Sequence, residues 1–419
     1  MSNHTQAQAP TMRTLFANRF VQSILLSGLF LQLGIWVRNF AILLFVTEQT
    51  NKDPIAISMI SVAEFGPIFL FSFIGGTFAD RWRPKMTMVL CDLLSALSVF
   101  IVLLALIFSG WKAIFFATLV SSILSQFSQP SSMKLFKLHV PESLIQLGMS
   151  MNQTIQAVFM ILGPMIGTLI FYRFGITVAI AIMGTCFLLS ALVLTFLPPD
   201  RKAEVTKTAT NLSSDMKMGL RYVISNKLFV YMGGFFLAAG MGLGLVNPLG
   251  IFLVTEHLGL TAQNLQWFTA VNGVGMILGG VVAMTLSKKT SPQNMLLAGF
   301  ISSAVSVAVM GSVQLIWVAL LAQFISGMMV PLIHIACNTL ILTHAEESFV
   351  GRVNGILNPL FMGGMVLNMS LVGILKEQFP LTVMYLIAAA LFTIGALAML
   401  PMLRMKQAKQ MKIAEMQHH

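Results

Sequence analysis

A few ionisable side chains lie well inside the long apolar runs of this 419-residue sequence, among them Arg38, Glu64, Asp92 and His334. Inside a membrane an ionisable group is costly, so each of these is by default a functional candidate there. Glu64 and Asp92 can take up and release protons. Arg38 can pair with a carboxylate or hold an anionic group. His334 stands four residues before Asn338, which places the two on one face of a helix. That pair suits either a proton relay or a packed, hydrogen-bonded contact.

These groups need elements to hold them, and composition says which. The chain is 57% hydrophobic and only 9% charged, with mean hydropathy +0.85. A soluble domain is about 45–50% apolar and roughly a quarter charged, so the natural solvent is a bilayer. Twelve runs approach the ~20 residues that a span requires. They cover 20–47, 55–79, 86–109, 113–136, 148–172 and 175–197, then 228–255, 263–286, 292–312, 315–341, 353–375 and 380–402. The expected fold is an all-α polytopic membrane protein of twelve transmembrane helices in two pseudo-symmetric six-helix bundles. The segments are a cytoplasmic N-terminal stretch (1–19), a first bundle (20–197), a linker (198–227), a second bundle (228–402) and a basic tail (403–419). The end of the linker, "MKMGLRYVISNK", reads as an amphipathic helix on the membrane surface.

Lys and Arg set the orientation. With the N-terminus cytoplasmic, Lys52, Lys112, Arg173 and Lys376 fall outside, Arg38 falls within a span, and the rest of the 25 basic residues fall inside. Both termini are then cytoplasmic in a cell (inner) membrane. The net charge of +11 is a topology signal and calls for no nucleic acid. Cys91, Cys186 and Cys337 lie inside apolar runs and suggest neither disulfides nor a metal site. The polar first eighteen residues lack a signal-peptide pattern, so the first span is expected to act as an uncleaved insertion signal.

Depth relates the buried charges. Arg38 lies roughly nine residues before the outer end of its span, and Glu64 roughly nine after the outer start of the next. At ~1.5 Å per residue they reach similar depth on adjacent antiparallel helices. Three roles are open to the pair: a static bridge, proton uptake by Glu64 that releases Arg38, or an anion site at Arg38. Asp92 is near enough to the inner end of its span to bond Arg81 or a helix end, in a structural or a coupling role.

Charge also concentrates in one loop, "GGTFADRWRPK" at 75–85. Gly75-Gly76 has an echo half a chain later in Gly279-Gly280, and "VPES" at 140–143 has one in "AEES" at 345–348, which suggests an internal duplication. The Gly-x-x-x-Asp-Arg end of the second span, with its basic loop, resembles the signature between the second and third helices of the major facilitator superfamily. The run from "NRFVQSILL" through this loop is most similar to the branch of macrolide-efflux and enterobactin exporters, among the drug:proton antiporters. That resemblance implies that Gly76, Asp80, Arg81 and Lys85 form a conformational latch. A carboxylate at a helix end that bonds basic groups across a domain boundary suits such a role. Arg83 and Pro84 depart from the family pattern, and Pro84 is a good first helical residue. "LGPMIGTLI" resembles the family's exporter-type kinked helix through Gly163, Pro164 and Gly167, with Thr168 as a departure. The fourth span lacks the Arg of many drug antiporters; Gln126 and Gln129 are its large polar groups.

The resemblance implies a secondary transporter that exports hydrophobic or amphipathic compounds by proton antiport with alternating access. The alternative is an exporter of one siderophore or other metabolite. Glu64 and Asp92 are the proton-coupling candidates, and two buried carboxylates favour protons over sodium. Trp36, Arg38, Glu64, Phe65, Gln126, Asn247, Trp267, Asn272 and Asn358 are candidates for the substrate cavity, with Phe159, Met241, Phe324 and Met365 as further lining. No phosphate-binding loop or His-Glu-x-x-His motif is present, so neither ATP drive nor a zinc enzyme is expected. The glycines in "NGVGMILGG" lie inside a span and read as packing. The expected partners are a small-molecule substrate, protons and the lipid bilayer; a monomer without cofactor is expected.

Overall fold

Proline, glycine and asparagine set many of the helix boundaries. The computed structural model describes residues 18–81, 83–109, 112–140, 142–197 and 212–417. Helix α1 (Arg19–Gln49) ends in a turn with Asn51 and Lys52 at positive φ. Asp53 Oδ1 then accepts from the Ile55 amide at 2.8 Å and caps α2 (Pro54–Arg81). Proline also opens α3 (Pro84–Ser109), where its missing N–H costs no helical bond. Helix α4 is Lys112–His139. The stretch Glu142–Thr195 is helical for 54 residues, but Gly175 sits at φ 77° and ψ 177° within it. Only glycine reaches that backbone cheaply, and the break yields two limbs, α5 (142–174) and α6 (176–195).

The second half begins with α7 (Leu212–Ser225) and α8 (Lys227–Phe252), joined through Asn226 alone. The Asn226 side chain accepts from the Leu228 amide at 3.0 Å and caps α8. A π-turn (Leu253–His257) and a short 3-10 turn lead to α9 (Leu265–Leu286). The remaining helices are α10 (Pro292–Ser312), α11 (Ile316–His344), α12 (Val350–Gln378) and α13 (Leu381–Gln417). Among the described residues, ten stretches are long and apolar enough to cross a membrane. One of these, Leu147–Thr195, is the broken α5–α6 pair. Helix α4 is not among the ten, because Ser and Gln recur along it between Ser121 and Ser132. Helices α1–α6 and α8–α13 correspond in order to the twelve apolar runs read from the sequence, with α4 the least apolar of them. The last of them continues as helix into the expected tail, to Gln417.

Contacts divide the chain into two units, Met1–Ile42 with Phe71–Thr206, and Leu43–Leu70 with Lys207–His419. In the first, one end of the helices packs around Phe20, Ile24, Met88, Phe136, Leu144 and Leu194, all buried. Helix α1 crosses α5 closely: a Cβ on Gly167 would lie 2.8 Å from Phe40 Cβ and 2.9 Å from the Trp36 carbonyl oxygen. In the second unit the closest crossing is α8 on α12. Gly240 and Gly244 rest on the carbonyls of Phe361 and Met365, where a Cβ would collide with backbone. The glycines of "NGVGMILGG" have the same use, Gly275 and Gly279 resting on the α11 backbone at Phe324 and Met328. Small residues that let backbones approach replace the hydrophobic drive that lipid does not provide.

Candidate functional site

A polar cavity of about 150 Å³ lies inside the first unit. Each lining helix contributes residues at helical spacing. Helix α1 gives Ser27, Gly28, Leu31 and Gln32; α3 gives Met88, Asp92 and Ser95; α4 gives Ser125, Ser128, Gln129 and Ser132; α5 gives Asn152 and Gln156. Asp92 is 3% exposed. Ser190 Oγ of α6 donates to Asp92 Oδ2 at 2.6 Å, and Ser27 Oγ lies 2.8 Å from Ser190 Oγ. A hydroxyl has one proton. With Asp92 ionised, Ser190 gives its proton to the carboxylate and Ser27 donates to Ser190. With Asp92 protonated, both hydroxyls can turn and the chain runs the other way. The three side chains thus accommodate either state by rotation alone. Among the described residues, no lysine, arginine or histidine lines this cavity.

Asp92 was expected near Arg81 or a helix end; its hydrogen-bond partner is Ser190, from a helix 98 positions away. Arg38 is buried, with Nη1 donating to Ser121 Oγ at 2.6 Å and Nε to Asn39 Oδ1 at 2.9 Å. Arg38 belongs to the first unit, and Glu64 and Phe65, both half-buried on α2, to the second. Gln126 turns back to its own helix, donating to the Ser122 carbonyl at 3.4 Å. Trp36 lies over Gly163, and its ring stacks with Phe40 at 6.0 Å. Gly163 and Gly167 therefore serve the α1–α5 crossing, and Pro164 is buried between them.

A second cavity, of about 300 Å³, lies inside the second unit. Phe235, Phe236, Phe300, Phe361 and Phe392 make its walls, and His334, Asn338, Asn354 and Asn358 form a polar edge from α11 and α12. Asn338 Nδ2 is 3.0 Å from His334 Nδ1. The amide nitrogen can only donate, so Nδ1 accepts and a neutral imidazole carries its proton on Nε2. Among the described residues, no lysine, arginine or carboxylate lines this cavity. Its size and balance suit an uncharged aromatic or aliphatic group, oriented by a few amides.

Of the other candidates, Asn358 lines the second cavity, whereas Asn247 and Trp267 are exposed and do not line it. Asn272 Nδ2 donates to the Gln323 carbonyl at 3.2 Å and ties α9 to α11. Met365 is buried, with its carbonyl under Gly244. Lys85 Nζ donates to the Thr195 carbonyl at 2.8 Å and to that of Leu197, at the C-terminal end of α6. The surroundings of Gly76 and the side chains of Asp80 and Arg81 lie outside what the structure describes.

Sequence reading missed Ser27, Ser190, Asn152, Gln156 and Asn354. The spacing of Ser121, Ser125, Ser128 and Ser132 marks a polar stripe on α4 and was available. Asn354 precedes Asn358 by one turn and was equally available. Nothing local links Ser27 to Ser190.

The arrangement of many long helices with polar residues turned into their interiors recurs in known proteins. The family profile described as Major Facilitator Superfamily matches residues 24–252 and 231–417. The chain belongs to that superfamily. It is a multi-pass membrane transporter of small molecules, not an enzyme. The uncharacterized MFS-type transporter YkuC of Bacillus subtilis is 26% identical, over 89% of each chain. The multidrug efflux pump Tap of Mycolicibacterium fortuitum is 26% identical, over 85% of this chain and 90% of its own. The enterobactin exporter EntS of Escherichia coli is 22% identical, over 96% and 94%. The solved nucleoside transporter NupG superposes with TM-score 0.73 over 92% of this chain and 99% of its own, at 15% identity, which speaks to the fold.

Proposed function

We propose that this chain exports uncharged, hydrophobic or amphipathic small molecules from the cell in exchange for protons. It would work as a monomer in the cytoplasmic membrane, with two six-helix halves and both termini inside. Similarity to Tap and EntS supports export. The observation that carries the coupling is Asp92, buried and bonded to the rotatable Ser190–Ser27 pair at the wall of a polar cavity. An ionised carboxylate away from water is expensive, and one hydroxyl offsets only part of that cost. Proton uptake is therefore the chemistry most open to this group. The Phe-walled cavity, whose described lining residues carry no fixed charge, supports the substrate class. Glu64 is the second candidate for the proton, through its expected partnership with Arg38. In this reading the Asp80 loop latches one side of the alternating-access cycle.

A specific, anionic metabolite is the second reading. Arg38 favours it, as a buried cation on α1 that donates to Ser121 and Asn39. One experiment separates the two. The protein is reconstituted in liposomes with an imposed pH gradient, and a lipophilic fluorescent dye is followed for the native chain, Asp92→Asn and Glu64→Gln. We expect gradient-driven dye accumulation by the native chain and its loss in Asp92→Asn, with dye binding retained. Undiminished driven transport by Asp92→Asn refutes the coupling role of Asp92. No dye movement by the native chain favours the anionic metabolite.

A further inference from the structure

Helix α7 has a face that transport chemistry does not use. Its last residue, Ser225, is separated from the first residue of the membrane-spanning α8 by Asn226 alone. A second anchor holds it beside the start of α12. Gly219 packs against Arg352, the Tyr222 ring stacks on Phe349 at 4.3 Å and 13°, and Tyr222 Oη accepts from the Glu346 amide at 3.1 Å. Both anchors are at ends of spans, so α7 is held along the membrane surface and not away from it. With Gly219, Tyr222 and Val223 turned toward the protein, Met216, Leu220 and Ile224 form the neighbouring row, one turn apart. They are 40%, 47% and 64% exposed. Lys217 and Arg221 form the next row, also exposed.

We propose that α7 binds anionic phospholipid. Met216, Leu220 and Ile224 enter the boundary between headgroups and acyl chains, while Lys217 and Arg221 pair with lipid phosphates. An exposed apolar row beside a basic row fits that boundary, and basic residues near an anionic surface each add about fivefold in affinity. Tyr222 then carries the position of α7 to the turn between α11 and α12, so membrane charge biases the helices that wall the Phe-lined cavity. The proposal rests on the chain being a membrane protein and is independent of what it transports.

The test uses the full chain in bilayers of neutral phosphatidylcholine with increasing phosphatidylglycerol. A polar thiol-reactive fluorophore is placed at Leu220→Cys, Ile224→Cys or, as a control on another face, Met218→Cys; the three native cysteines are buried. Phosphatidylcholine brominated on its acyl chains reports contact with the bilayer interior. We expect quenching at positions 220 and 224 but not 218, increasing with the phosphatidylglycerol fraction. Lys217→Gln with Arg221→Gln raises the anionic-lipid requirement on the order of 25-fold. The proposal is overturned if aqueous iodide quenches all three positions alike, as open water or a soluble partner would allow. It is equally overturned if bilayer contact is the same in neutral lipid. The phosphatidylglycerol titration reads this without charge variants, so a variant that fails to fold does not shelter the idea.

Discussion

Ser190→Ala tests the hydroxyl chain at its centre. Ser190 Oγ stands 2.6 Å from Asp92 Oδ2 and 2.8 Å from Ser27 Oγ, so losing it removes both bonds and leaves the carboxylate without its donor. A hydrogen bond to a charged group contributes about 1.5–3 kcal/mol, and a neutral one about 0.5–1.5 kcal/mol. A double-mutant cycle isolates this bond, using Ser190→Ala, Asp92→Leu and the pair together, because leucine cannot replace the acceptor. The expected coupling energy is about 1.5–3 kcal/mol where Asp92 is ionised. It falls to about 0.5–1.5 kcal/mol as decreasing pH protonates the carboxyl, since only the charged form has the stronger bond. Reversible unfolding in mixed detergent micelles, repeated across pH, measures it. Coupling below about 0.5 kcal/mol at every pH is within ordinary additivity error and refutes the reasoning.

Gly244→Ala drives a Cβ onto the Met365 carbonyl, forcing α8 from α12 at about 1–3 kcal/mol; thermal unfolding shows the loss. Gly280→Ala meets nothing within 4 Å and stays within about 0.5 kcal/mol of the native chain. Lys85→Met uncaps the C-terminal end of α6, costing about 0.3–1 kcal/mol and speeding amide hydrogen exchange at Leu197 and nearby amides. Asn358→Leu weakens ligands that need a hydrogen bond by roughly 2- to 12-fold, the worth of one neutral bond. Purely apolar ligands keep their affinity, and fluorescence titration distinguishes the two sets.

Much of the fold was legible because a bilayer imposes one rule on every span. Apolar runs and Lys/Arg positions act at every residue, so twelve spans emerge even where composition is uneven, as on α4. Pro84 was readable as a first helical residue, whereas the break at Gly175 is known from its positive φ in the structure. The site was legible only where one helix carried the whole signal. His334 and Asn338 are one turn apart on α11, and their bond follows from that spacing. Asp92 stood out by its charge, but its partner did not, because Ser190 reaches it from a distant helix and serines in spans are common. Asn272 and Gln126 looked like cavity residues for the same reason in reverse. Each satisfies its amide on a nearby carbonyl, a choice fixed by helix rotation, which one sequence does not reveal.

Each unit has a crossing in which glycines let two helices approach closely. In the first unit the glycines are on the fifth span and the bulky partners, Trp36 and Phe40, on the first. In the second unit Gly240 and Gly244 of the seventh span lie against the backbone of Phe361 and Met365 on the eleventh, and Gly364 of the eleventh lies against the Leu237 carbonyl on the seventh. By order in each half, the first and seventh spans correspond, as do the fifth and eleventh. Glycine of the fifth span serves the first crossing, whereas the seventh span supplies two and the eleventh one to the second, and a close approach is kept in both. If the halves descend from one ancestor, drift was free to trade small residues between the two helices. A position-by-position comparison of the halves registers that trade as lost similarity, although the inherited trait is a distance.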